Sequence, residues 1–162
     1  QQLLSISRFI PDFKNQSGQA DVLLSFKDYN SITNDTTLNG AITSSSSTAD
    51  ITLTDASSFP TSGTVLIGSE LITYTSKISA NVIGGTVTRG TNGTTATTHL
   101  TNKKVTNYSN VRVNRSSVTP TTTKIDTRGR GRQGNLLISS SSVGDNWRFG
   151  TLRLDVKPDG GR

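Results

Sequence analysis

Arg128, Arg130 and Arg132 stand at every second position of TRGRGRQGNLL (127–137), with Gly129 and Gly131 between them. Guanidinium groups bind carboxylates and phosphates through paired donors, so such a row suits an anionic partner. In a strand, residues i, i+2 and i+4 share a face. The three arginines would then form one row, with the glycines opposite, where a neighbouring backbone or ring can approach closely. The flanks TKIDT and NLLISS read as ordered strands, which argues against a disordered Arg-Gly tail. Three readings follow. The row is a charged face turned to solvent or to another subunit, or it contacts nucleic acid, or it pairs locally with Asp126, Asp145 or Asp155. We favour the first. Phosphate attracts such rows, but aromatic stacking partners are few here.

Other residues that do chemistry are sparse. Glu70 is the only glutamate and His99 the only histidine. Acid–base work by paired carboxylates would need Glu70 to meet an aspartate such as Asp55. A lone imidazole without cysteines makes no metal site, and no cofactor is expected. There is no GxSxG elbow, P-loop or dinucleotide fingerprint. Both Glu70 and His99 therefore read as structural, and the chain reads as non-enzymatic. Trp147 is the only tryptophan. In DNWRFGTLRLDVKPDGGR (145–162), Trp147 and Phe149 flank Arg148, and Leu152 and Leu154 alternate with Arg153 and Asp155. The pattern predicts a half-buried strand with Trp147, Phe149, Leu152 and Leu154 in the core and Arg148 and Arg153 outside. A turn is expected at Pro158-Asp159-Gly160. Trp147 as a sugar-stacking platform is the alternative.

These residues must be carried by β structure. Hydrophobic residues make up 30% of the 162 and charged residues 17%, with serine and threonine filling the difference. That composition favours strands and turns. No segment has helical periodicity, and no apolar run approaches a membrane span. Short apolar runs recur instead, among them ADVLLSF (20–26), ADITLTD (49–55), VIGGTVTRG (82–90), KVTNYSNVRV (104–113), NLLISS (135–140) and FGTLRLDV (149–156). TVLIGSELITYT (64–75) reads as a hairpin turning at GSE. Many short strands with Gly, Asn and Ser between them predict an all-β, sandwich-like antiparallel protein. TSSSSTAD (43–50) and SSVTPTTTK (116–124) read as linkers. They bracket a small β module, residues 46–107, inserted in a domain built from 1–45 and 108–162. The net charge is +6, and residues 112–162 carry all of it, with ten basic against four acidic residues. Such asymmetry points to a polyanion or an acidic neighbour. The opening QQLLSISRFIPDF enters a strand pattern at once and reads as part of a longer polypeptide.

Residues 53–99 resemble a module of tailed-phage structural proteins. The features are Phe59-Pro60 before a Ser-Gly turn, IGSE followed by Tyr74, then TRGTNGT and His99. The outer parts are similar to the C-terminal region of tail nozzle proteins of short-tailed phages, also described as packed-DNA stabilization or tail accessory proteins. FKNQSGQADVLLSFKDYN (13–30), TRGRGRQGNLLISSS and WRFGTLRLDVKPDGGR carry that likeness. Nozzle proteins are longer than this chain, so the likeness implies a terminal domain or a smaller virion protein that uses it. It implies a virion location in the tail, assembly with itself and with other virion proteins, and no small-molecule substrate. Arg128, Arg130, Arg132, Arg148 and Arg153 become candidate subunit-interface residues. DNA contact is possible but not favoured. A capsid decoration or head-fibre protein is one rival. A carbohydrate-binding receptor module, centred on Trp147 or Tyr74, is the other.

Overall fold

The structure is a computed structural model that describes residues 3–27 and 34–159. Its strands in chain order are β1 (Leu3–Ile10), β2 (Phe13–Ser17), β3 (Ala20–Lys27), β4 (Asp35–Thr37), β5 (Ile51–Thr52), β6 (Gly63–Ile67), β7 (Glu70–Ser79), β8 (Val82–Thr88), β9 (Lys104–Asn107), β10 (Arg112–Val118), β11 (Ile125–Gly131), β12 (Gln133–Ser139), β13 (Asn146–Phe149) and β14 (Arg153–Asp159). A 3-10 turn, Thr91–Gly93, lies between β8 and β9. The protein is all-β and sandwich-like, as its alternating runs predict. Its two compact units are Gln1–Ser31 with Val111–Arg162, and Ile32–Asn110.

In the first unit, antiparallel sheets β11-β1-β14 and β10-β3-β12 enclose one core, and β13 pairs with β2. Ile6 and Phe9 of β1 meet Val22, Leu24 and Phe26 of β3 and Val118 of β10. Ile6 and Phe9 are three residues apart, which simple alternation would place on opposite faces. A bulge between Ile6 and Arg8 resets the register, so both point inward. β3, the central strand of its sheet, is buried at every position from Val22 to Phe26, which explains why its apolar residues do not alternate with polar ones, Ser25 excepted.

The second unit is one curled six-stranded antiparallel sheet, β4-β9-β6-β7-β8-β5. A bridge between Leu38 and Leu53 joins the segments that follow the two edge strands. The β6–β7 hairpin turns through Gly68-Ser69, closing on the pair Ile67 and Glu70. Gly68 has φ +61°, which a two-residue hairpin turn of this kind requires. Val65, Ile67, Ile72, Tyr74, Val87 and Val105 fill the interior.

The first unit boundary falls at 31/32, well before the polar run expected to mark it at 45/46. The reason is Leu38, which is fully buried in the core of the second unit. β4 pairs with β9, and Ile42 bridges to His99, so residues 34–42 close the module. One or two apolar residues in polar text suffice for this, and alternation does not reveal them. The linker reading of 116–124 is also corrected at its start: Ser116–Val118 finish β10, and the turn begins after them. The C-terminal pattern divides as well. The run 145–157 is two strands, broken at Gly150 to Leu152. Leu152 lies in the break and is 45% exposed, so it is not a core residue. Phe149 and Leu154 do pack against the core. Pro158 and Asp159 continue β14, and Gly160 lies outside the described residues.

Candidate functional site

The arginine row is built on β11. Gly129 and Gly131 are buried, and Arg128 and Arg130 are exposed on the opposite side. The glycines are required by packing. A Cβ on Gly129 would sit 1.8 Å from Cζ of Phe26, inside the core ring. The Phe26 ring thus occupies the space of the Gly129 side chain, and the Lys27 backbone lies against Gly131. β11 ends at Gly131. Arg132 turns off the strand, half-buried, and its N–H donates to the Lys27 carbonyl at 2.7 Å. The row is therefore two arginines long, because the chain must bend to enter β12.

Neighbouring strands widen the face. Ser5 of β1 lies between Arg130 and Lys157 of β14. Further along, Arg8 lies between Asp126 and Asp155, with Nε 3.2 Å from Asp126 Oδ1 and Nη1 3.5 Å from Asp155 Oδ2. Hydrogen bonds from Arg8 and then Lys124 lower the Asp126 pKa. Arg153 pairs opposite Ile10 on this same sheet. Arg148 belongs elsewhere, on β13 opposite Lys14 of β2. Of the five arginines singled out in the sequence, Arg128, Arg130 and Arg153 share a sheet, and Arg132 and Arg148 do not join them. Arg8 and Lys157 were missed. Their strands pair with β11 or its neighbour only through long-range contacts, although each sits as a cation in an alternating run.

The second cluster is interior. Glu70 opens β7 and is fully buried. Arg89 follows β8 and binds both carboxylate oxygens, Nε to Oε1 at 2.7 Å and Nη2 to Oε2 at 2.8 Å. His99 Nε2 lies 2.7 Å from Oε2 and donates to the ionised carboxylate. The N–H groups of Gly90 and Thr97 donate at 3.0 and 3.1 Å. Arg89 Nη1 also donates to the carbonyls of Ser44 and Ser47, so the supposed linker at 43–50 is a clamp on this guanidinium. Burial pushes the Glu70 pKa up. The bonds from His99, Arg89 and Thr97, with the charge of Arg89, outweigh it and hold the group at about 2. Gly90 has φ +62°, and a Cβ there would lie 2.7 Å from the Thr94 carbonyl oxygen.

Glu70, Arg89, Gly90 and His99 are conspicuous residues of the 53–99 pattern, and all four converge on one structural knot. Glu70 is satisfied without Asp55, which is exposed and accepts the Ser57 N–H at 2.8 Å. Phe59 and Tyr74 are core residues, and the Tyr74 hydroxyl donates to the Pro60 carbonyl at 2.9 Å. Tyr74, 2% exposed, offers no platform to a sugar. Trp147 is half-buried, edge-on to Phe13 at 5.7 Å. Among the described residues, no group of His, Cys, Asp and Glu could hold a metal ion, and no helix is long and apolar enough to cross a membrane.

No family model, curated protein or solved structure matches the chain.

Proposed function

We propose that this is a non-enzymatic structural protein of a tailed-phage virion, a tail component of the nozzle or tail-accessory kind that assembles in a ring with other virion proteins. The observation that carries the reading is the arginine face. It stands on a strand backed closely by Phe26 at Gly129, so the backbone that carries the arginines is packed from behind. Arginines presented in a row by one strand face match anionic groups of a neighbouring molecule through paired donors. Repeated around a symmetry axis, individually weak contacts sum to a firm joint. The phage resemblance of residues 53–99 and of the outer parts supplies the setting. The Glu70–Arg89–His99 knot serves stability in this scheme.

Gold-labelled antibody against this chain, imaged on intact particles by electron microscopy, tests the proposal. Label at the tail is expected. Label over the head would replace it with the decoration or head-fibre reading. No label on particles whose epitope is accessible would overturn the virion assignment.

A further inference from the structure

We propose that the outer edge of β12 pairs antiparallel with β12 of a second copy of the chain, across a two-fold axis at Leu137. This joint lies on the other sheet from the arginine face and uses none of its residues. It names one contact of the self-assembly proposed above and does not depend on the virion location.

β12 has β3 on one side and, among the described residues, no strand on the other. Every second residue of β12 therefore turns its N–H and C=O away from β3. Such an edge is a template for pairing, and proteins guard it with charge, proline or shortness. Every other sheet edge of the described residues is guarded in this way. β14 carries Arg153, Asp155, Lys157 and Pro158. β11 carries Arg128 and Arg130. β10 carries Arg112 and Arg115, and its Asn114 donates to the Arg128 carbonyl at 2.7 Å. β13 and β2 carry Arg148 and Lys14. β4 and β5 are only 3 and 2 residues long. β12 is 7 residues long, and no charged residue or proline occurs from Gln133 to Gly144.

The apolar residues of this edge are left partly covered. Leu136, Leu137 and Ile138 are half-buried, whereas their partners on β3, Leu24, Leu23 and Val22, are 5, 4 and 1% exposed. Burial stops where the sheet stops. Leu136 and Ile138 pack toward the core, so Asn135, Leu137 and Ser139 share the outer face.

Register identifies the partner as the same strand. Pairing that keeps both cores on one side must set residues of like face opposite each other. With the axis at Leu137, Leu136 lies opposite the partner's Ile138, and Asn135 opposite the partner's Ser139. Leu137 meets its own copy. Apolar residues thus face apolar ones, and an amide faces a hydroxyl. An axis at Leu136 would set Asn135 against Leu137, and an axis at Ile138 would set Leu137 against Ser139. Charge points the same way. Residues 112–162 carry the whole net charge of +6, so two copies approach with least repulsion along an uncharged strand. An edge such as β14 would instead bring Asp155 and Pro158 against the apolar run. The pairing merges two sheets into six strands and uses up both edges, so it closes at two copies. One strand pair is a small interface, below the ~1,200 Å² of stable specific complexes, so the dimer should form reversibly with concentration.

The chain has no cysteine, which makes single cysteines reporters of the register. Directly opposite Cα atoms of an antiparallel pair are about 4.5–5.5 Å apart, within reach of a disulfide. Leu137→Cys, treated with oxidised glutathione, should therefore give disulfide-linked dimers. Asn135→Cys or Ser139→Cys alone sets the two thiols roughly 14 Å apart along the strands and should not. An equimolar mixture of those two variants should cross-link. Sedimentation velocity of the wild-type chain, from micromolar to hundreds of micromolar, should show monomer passing to dimer. The double variant Asn135→Lys, Ser139→Lys sets like charges opposite and should remove the dimer, whereas Asn135→Glu, Ser139→Lys sets opposite charges and should keep it. Trp147 fluorescence melts check that both stay folded. A wild-type chain that is monomeric throughout, or equal cross-linking of the three single variants, overturns the proposal. Growth beyond dimer into fibres overturns the closed two-fold register. Tail labelling with a monomeric chain would defeat this inference and leave the virion reading standing; a dimer without label on particles would do the reverse.

Discussion

Glu70→Gln keeps the shape of the side chain and removes the charge that Arg89 and His99 face. The side chains involved are 0, 5 and 5% exposed for Glu70, Arg89 and His99, so water cannot take over the lost role. A buried guanidinium left without its carboxylate costs about 3–5 kcal/mol. The same contacts act on the carboxyl's proton affinity. The carboxyl moves from 4.5 to about 2 on folding, a stabilisation of about 3 kcal/mol at roughly 1.4 kcal/mol per pKa unit. Domains are stable by about 5–15 kcal/mol in total, so the change removes a large share. Because the folded carboxyl titrates below the unfolded one, protonation favours the unfolded chain. The stabilisation is complete above the unfolded pKa near 4.5, and about 2 kcal/mol of it is lost by pH 3. The assay is hydrogen exchange of peptides from 63–107, read against peptides of 3–27 and 125–139. Amides of β6 to β9 should exchange about a hundredfold faster or more in the variant at neutral pH, with β1, β3 and β11 unchanged. The wild-type unit should weaken between pH 5 and 3, and the variant should lack this contribution. Exchange in β6 to β9 within threefold of wild type would refute the claim that the knot holds the module.

Gly129→Ala should destabilise the first unit by about 1–3 kcal/mol or more through overpacking against Phe26, seen as a lower urea midpoint of Trp147 fluorescence; an unchanged midpoint would show that the ring yields freely. Leu38→Ala should cost the second unit about 2–5 kcal/mol, measured by exchange in β6 to β9, and a loss below 1 kcal/mol would remove Leu38 from that core. Arg130→Glu should block assembly into particles while far-UV circular dichroism and the Trp147 melt stay close to wild type; normal particles would exclude this face as a joint.

Much of the local structure was legible in the residues themselves. Alternation in LLSISRFI and ADITLTD, and the turn residues between runs, declare strands because side-chain period and turn chemistry are properties of a few adjacent residues. The spacing of Arg128 and Arg130, with glycines behind them, also declared a charged face over a close contact. What occupies that contact, Phe26 about a hundred residues earlier, was not legible. Nor was the end of the row at Gly131, which depends on how β11 hands over to β12. The same limit hid the knot. Glu70, Arg89 and His99 lie 19 and 29 positions apart along the chain, each reads as an isolated polar residue, and only the curl of the six-stranded sheet brings them together. Leu38 and Ile42 looked like incidental apolar residues in a polar stretch until pairing buried one and bridged the other. Sequence by itself determined the elements, their turns and the cationic bias of the outer unit, because these follow from neighbouring residues. Pairing order, unit boundaries and the division between buried and exposed charge were decided by tertiary structure, because they depend on contacts between residues that the chain keeps far apart.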